Sequence, residues 1–380
     1  MRTTFLLLST VVVGLAACTE NPSASSTGAI AVTSTDDACA IAAAEAPSGT
    51  LAFTVTNQGS QVSEFYLLAD DGLRIVGEVE NIGPGLTRDL VLLAQPGTYY
   101  TACKPGMVGD GIRAGFTVTD SGTQIVPTGA IGEQLAAATT AYAGYVKDQA
   151  AQLVADTDAF VAAYLTGDDD KARSLYATTR EHWERIEPVA ESFGDLDPKL
   201  DLREADLEEG QAWTGWHRIE KDLWPPARGY TPLTEKQRQE LAEQLVADTA
   251  VLNQRVRELE FTPDQLSNGA KELLDEVATG KVTGEEEIWS HTDLWDFQAN
   301  VDGAWVAFEE LKPVVEQKNP DLATELTTRF RQLQQRLDRY RDGDGFVLYT
   351  DLTPEQVKDL AAAVDAVSEP LSRLTTTVVS

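Results

Sequence analysis

The apolar residues change their spacing once, near residue 126, and that change restricts the chain to a β-rich front followed by a helical remainder. Ahead of it, Leu51-Ala52-Phe53-Thr54-Val55-Thr56 alternates at period two, as a strand with one buried face does. Ile30-Ala31-Val32 opens an earlier extended run, and further strands are predicted over Glu64 to Ala69, Leu73 to Val79, Arg88 to Leu93, Gly97 to Ala102 and Ala114 to Thr119. Asn57-Gln58-Gly59-Ser60, Pro84-Gly85 and Pro96-Gly97 separate them, so segment 29–122 reads as a small antiparallel all-β sandwich. Beyond a linker at 123–129 the period is 3.6. Helices are predicted over Ile131 to Leu165, Lys171 to Phe193, Trp213 to Trp224, Thr234 to Leu259, Asp264 to Val277, Asp293 to Glu316, Leu322 to Arg341 and Pro354 to Leu374, which makes 130–378 an all-α bundle. Ser290-His291-Thr292-Asp293 has the spacing of a capping box with a shortened acid, and Thr353-Pro354-Glu355 puts proline at a first helical position.

Residues 1–18 are of another kind. Met1-Arg2 is a positive start, and Phe5 to Leu15 is an apolar run too short to span a bilayer as a mature helix. Leu15-Ala16-Ala17-Cys18 resembles the lipobox of bacterial lipoproteins. The resemblance implies a signal peptide, acylation of Cys18 and a protein lipid-anchored on the extracytoplasmic face of the cell membrane. Two acyl chains are enough for stable anchoring, at about 0.8 kcal/mol per buried methylene. Residues 19–28 follow as a polar tether.

Charge narrows what the helical part can bind. The chain carries 61 acidic against 30 basic residues, a net charge of -31, and 49 of the acids lie beyond residue 122. Nucleic acid is thereby disfavoured as a partner, whereas a cation would be attracted. Gly215-Trp216-His217-Arg218-Ile219-Glu220 sets an imidazole and a carboxylate three residues apart, on one face of a helix. Glu184-Arg185-Ile186-Glu187 repeats that spacing with two carboxylates on an earlier helix, and the acidic stretch Asp201-Leu202-Arg203-Glu204-Ala205-Asp206 runs between. If these converge, they make a carboxylate-rich site suited to a hard or borderline cation, above all iron. The other two histidines are His182, off the face of Glu184, and His291, at a helix start. A His-Glu-x-x-His peptidase needs a second imidazole one turn away. It is missing, so no enzymatic activity is expected.

With Cys18 acylated, Cys39 and Cys103 remain, and outside the cytoplasm two thiols become a disulfide or metal ligands. The front segment resembles a cupredoxin domain, with Cys103-Lys104-Pro105-Gly106-Met107 in the penultimate loop, where that fold carries its copper ligands. A blue-copper centre wants two histidines, a cysteine and a weak axial methionine. No histidine precedes residue 182, so electron transfer through such a centre is not expected. Cys39, Cys103, Glu64 and Met107 are what a metal site there would retain.

Longer blocks carry a second resemblance. Gly215 to Glu220 matches the Gly-x-His-x-x-Glu motif of imelysin-like proteins, Tyr176-Ala177-Thr178-Thr179-Arg180 with Glu184-Arg185-Ile186-Glu187-Pro188 matches the preceding helix, and Ser290 to Val301 looks like the third block. Together with the cupredoxin-like front, the chain is similar to EfeO-type iron-uptake proteins. The resemblance implies a multidomain protein, an all-β cupredoxin-like sandwich followed by an all-α imelysin-like bundle. It implies a non-catalytic iron-binding lipoprotein that works beside a membrane iron permease and a haem peroxidase. Iron, as Fe2+ or Fe3+, would be held by His217, Glu220, Glu184, Glu187 and Asp201, with Glu286 as an addition; Arg203 and Arg218 would orient carboxylates. A second site for copper or iron would use Cys39, Glu64 and Cys103. An imelysin-like metallopeptidase and a cation-bridged binder of anionic polysaccharide are the alternatives.

Overall fold

The computed structural model describes residues 28–123, 125 and 127–380; the signal segment, Cys18 and residues 19–27 of the tether lie outside the described residues. In the front unit, β1 (Ile30–Ser34), β2 (Cys39–Ile41), β3 (Glu45–Pro47), β4 (Gly49–Asn57), β5 (Ser63–Leu68), β6 (Ile75–Ile82), β7 (Thr87–Ala94), β8 (Gly97–Cys103) and β9 (Ile112–Thr119) form two sheets. Their orders are β2-β1-β4-β7 and β3-β9-β8-β5-β6. The alternating Leu51, Phe53 and Val55 turn inward to meet Phe65, Leu67, Phe116 and Val118 of the other sheet. The sandwich is not wholly antiparallel, which corrects the expectation: β1 runs parallel to β4, and β3 to β9. Turn residues report hairpins between consecutive strands, whereas parallel partners are joined by longer connections that leave no such mark.

The helical unit contains α1 (Gly129–Leu165), α2 (Asp169–Glu184), α3 (Glu187–Glu191), α4 (Asp197–Leu200), α5 (Gly215–Leu223), α6 (Glu235–Val256), α7 (Pro263–Thr279), α8 (Asp293–Lys318) and α9 (Pro320–Leu337). A hairpin of β10 (Arg341–Asp342) and β11 (Gly345–Phe346) leads to α10 (Pro354–Leu371) and α11 (Leu374–Val379). Leu153, Phe160, Tyr176, Trp183, Trp216, Phe297 and Phe308 share one core among these helices. Among the described residues, no helix is long and apolar enough to cross a membrane.

Two local expectations are corrected. The helix predicted over Lys171 to Phe193 is two helices, because Ile186 leaves helical geometry at φ -124°, ψ 15°. Pro188 explains the break: it has no N–H to continue the ladder, and its ring would meet the Glu184 carbonyl four residues back. The capping box at Ser290 does not form. Thr292 precedes α8 without a side-chain bond, His291 takes φ +62°, and Ser290 turns instead to Glu287. Thr353 does cap α10, with Gln356 returning the bond.

The two units dock along β6, β7 and α7. Asp264, in the first turn of α7, accepts a bond from the Leu93 amide at 2.7 Å, and Asn268 Nδ2 donates to the Val91 carbonyl at 3.0 Å. The Ile75 amide donates to the Ser192 carbonyl at 3.1 Å. These bonds bring the sheet edge beside the α2–α3 break.

Candidate metal centre

Helix α5 starts where a side chain would not fit. Gly215 has φ +80°, and a Cβ there would stand 2.1 Å from the Leu200 carbonyl oxygen. Glycine therefore lets α5 begin against the end of α4, and Asp201 ends α4. His217 Nε2 lies 3.3 Å from Asp201 Oδ1 and 3.4 Å from Glu286 Oε1, while Nδ1 lies 3.3 Å from Glu220 Oε2. The other Glu220 oxygen accepts from the amides of Trp289 at 2.9 Å and Ser290 at 2.7 Å. Both faces of the imidazole edge thus meet carboxylate.

The break at Ile186 places Glu184 at the end of α2 and Glu187 at the start of α3. The two are not one turn apart on a single helix, as the spacing suggested, yet they converge. Lys281 Nζ donates to Glu184 Oε2 at 2.7 Å and to the two oxygens of Glu187 at 2.7 and 2.6 Å. Asn300 Nδ2 reaches Glu184 Oε2 at 3.2 Å and Glu187 Oε2 at 2.8 Å. One turn before Glu184, the buried Arg180 donates to Glu184 and Asp201, and its nitrogens lie 3.2 Å from Glu286, 2.6 Å from Glu287 and 3.6 Å from Asp296.

All six residues singled out in the helical part therefore meet. Three groups have ligand atoms within 4.8 Å of one another: Asp201 with His217 and Glu286, His217 with Glu220 and Glu287, and Glu184 with Glu187 and Asp201. Glu184, Glu187, Asp201, Glu220, Glu286, Glu287 and Asp296 lie against Arg180, Lys281 or the single imidazole, and Asp293 accepts from the Glu287 amide beside them. Asp296 has both carboxylate oxygens buried without a hydrogen bond, and His217 Nε2 is likewise without one despite its nearby acids.

The electrostatics follow from that crowding. Burial pushes Asp201 up, but Arg180 and His217 outweigh it and hold its carboxyl well below the usual range. Glu286 is likewise desolvated, yet Lys281 and His217 bring it down to about 2. Burial together with neighbouring acids raises Glu287 and Asp296 well above ordinary values, and Asp293 to about 7. Glu184 and Glu187 are both raised by burial, with Glu187 pushed further by Glu184. Standing against one ammonium, they titrate as a pair. Burial and Arg180 would lower His217, but the facing carboxylates of Asp201, Glu220 and Glu286 prevail and hold its titration well above the ordinary imidazole range.

Sequence reasoning passed over Arg180, Lys281, Glu287, Asp296 and Asn300 as participants. Arg180, Asp296 and Asn300 lie inside the quoted family blocks, but Lys281 carried no signal. Of the acidic connector, Asp201 alone enters the centre, since Glu204 pairs with Lys221 and Asp206 with Arg203. Arg203 also lies 3.6 Å from Glu286, as an orienting group would, whereas Arg218 turns away over the Trp213 ring at 5.4 Å. His182 bonds Gln149 at 2.8 Å and Asp156 at 3.1 Å on α1.

The front unit departs from the expected second site. Cys39 and Cys103 are joined as a disulfide. Bridged sulfurs have no thiolate to offer a metal, so the site of Cys39, Glu64 and Cys103, with its copper or iron, is corrected to a structural bridge. Glu64 is engaged by the Tyr66 hydroxyl at 2.5 Å and lies 3.8 Å from Lys104 Nζ.

The chain matches the Imelysin family over residues 138–374 and the Cupredoxin-like domain family over residues 7–118. It is 37% identical to the protein named iron uptake system component EfeO of Escherichia coli (strain K12), over 356 residues that cover 91% of this chain and 90% of that one. The proteins of the same name from Shigella flexneri and Escherichia coli O157:H7 are similar to the same extent.

Proposed function

The chain belongs to the EfeO-type family, which joins a cupredoxin-like domain to an imelysin domain, and from that premise we propose that it captures iron for uptake at the centre between α2, α4, α5 and α8. The observation that carries the reading is the surplus of acid in the interior: seven carboxylates face Arg180, Lys281 and one imidazole. Oxygen-rich sets with a single imidazole suit a hard or borderline ion. His217, Glu220, Glu286, Asp201, Glu184 and Glu187 are the proposed ligands. Arg203 holds Glu286 from outside, and Asn300 holds the Glu184–Glu187 pair. The cargo is then passed to a membrane iron permease that works with a haem peroxidase, and the protein is held on the extracytoplasmic face through acylated Cys18. The Leu15-Ala16-Ala17-Cys18 sequence supports that anchor.

The role is binding and delivery, not catalysis. A hydrolytic zinc centre is built on three protein ligands with an open position for water, whereas the chain sets one imidazole among a crowd of buried carboxylates. Competitive loading with iron, copper, zinc and manganese, followed by elemental analysis, tests the cargo. Iron is expected to dominate, and His217→Ala and Glu220→Ala to lower its affinity by about tenfold or more with helicity unchanged, as loss of a direct ligand does. Iron titrations that match wild type in both variants would overturn the assignment.

A further inference from the structure

Lys281 does not resemble the other charges of the centre. Arg180 projects from α2 one turn before its end and is enclosed by five carboxylates, so its charge is built into the core. Lys281 instead stands on a three-residue turn, Lys281–Thr283, flanked by Gly280 and Gly284. Its ammonium takes the Glu184–Glu187 end of the cluster, and those two residues with Asp201 form one of the groups able to hold an ion. A metal ion bound to the same oxygens would meet the ammonium at close range in a low-dielectric interior, where like charges repel strongly. The ammonium takes one oxygen of Glu184 and both of Glu187, so a metal ion that reaches those oxygens displaces it from them.

An outer position is available. Lys281 Nζ lies 3.4 Å from Glu276 Oε2, on α7, and the Glu276 side chain is 32% exposed where that of Lys281 is 1% exposed. Glu276 is thus the nearest more exposed carboxylate the ammonium can reach without leaving the turn. The turn itself is pinned, because the Tyr349 hydroxyl donates to the Val282 carbonyl at 2.6 Å. A lysine stem has four rotatable carbons, so the ammonium can swing while the backbone stays.

We propose that Lys281 is an internal competitor for the cargo: its ammonium occupies the Glu184–Glu187 end of the centre and moves outward to Glu276 when the metal enters, so that loading exchanges one cation for another. The exchange rests on the iron-binding reading above. It sets the affinity below what the ligands alone would give, by the fraction of time the ammonium is away. It also supplies a release step, since the returning ammonium refills the carboxylates as the ion departs.

Full-length protein in detergent is titrated with ferrous iron under argon and with ferric citrate. Lys281→Met is expected to tighten binding by about tenfold, within the usual range of coupling between two ligands. Glu276→Gln is expected to weaken binding several-fold in the wild-type background and to have no effect in the Lys281→Met background, because the ammonium it receives is gone. Acylation by an N-hydroxysuccinimide ester, read on the Lys281 peptide by mass spectrometry, is expected to rise several-fold on loading of wild-type protein. That labelling decides the matter if Lys281→Met does not fold. Wild-type protein that binds iron while Lys281 stays unlabelled, or Glu276→Gln that acts equally in both backgrounds, overturns the exchange and leaves the iron site standing. Wild-type protein that binds no iron overturns both.

Discussion

Iron loading of the centre should release about two protons per ion near neutral pH. His217 is held protonated by Asp201, Glu220 and Glu286, so it must lose a proton before either ring nitrogen can ligate a metal. Glu184 and Glu187 are both raised by burial, Glu187 further by Glu184, and with one ammonium between two carboxyls the pair is expected to carry a second proton. Asp201 and Glu286 are held low and already charged, so they add none. The sign is fixed by the raised values: as pH rises toward them, proton competition falls and affinity rises. Two protons per ion give an affinity that changes about a hundredfold per pH unit, or about 2.7 kcal/mol between pH 6 and pH 7. Calorimetry with ferrous iron under argon, in two buffers of different ionisation enthalpy, counts the protons directly. Equal heats in the two buffers, or an affinity that stays constant from pH 6 to pH 7, would refute the protonation pattern.

Cys18→Ser is expected to move the protein from the membrane to the soluble fraction, and a variant that still pellets in high salt would show that the lipobox reading is wrong. Thiol titration of denatured, unreduced protein should find neither Cys39 nor Cys103; reduction should lower the unfolding temperature, since a bridge across 64 residues contributes on the order of 4 kcal/mol. Ferric iron is expected to bind more tightly than ferrous, so that the reduction potential of the bound ion falls below that of the free aqueous iron couple. A potential at or above that of the aqueous couple counts against a charge-balanced exchange.

The architecture was legible because it depends on periodicity, and periodicity is local. Phe53 and Val55 face the sandwich core as their alternation required, and Thr353 caps α10 as its neighbours indicated. The parallel pairing of β1 with β4 joins strands whose relation no turn residue encodes. The helix break was half visible: Pro188 was in plain view, but apolar spacing continued through it and concealed the change of direction that lets Glu184 and Glu187 converge. For the centre, a motif exposed His217 and Glu220, a family block exposed Glu184 and Glu187, and the acidic connector offered Asp201. Lys281 lies outside every motif, and nothing in Gly280-Lys281-Val282 distinguishes it from a surface lysine. Its burial is a product of how α7 and α8 close over the α2–α3 break.

What the sequence could not supply was the counter-charge, and the counter-charge decides what the centre can exchange. A buried network of acids and cations is a poor stability device, because apolar residues of the same volume often serve a fold as well or better. Its charges divide by mobility. Arg180 is enclosed on every side and stays; the protons on His217 and the Glu184–Glu187 pair can leave, and the Lys281 ammonium can swing to Glu276. Departure of two protons and one ammonium removes three positive charges from the ligand set. A divalent ion restores two of them and leaves a buried negative charge, which costs heavily in a low dielectric. A trivalent ion restores all three, so the proposed exchange closes its charge balance on ferric rather than on ferrous iron.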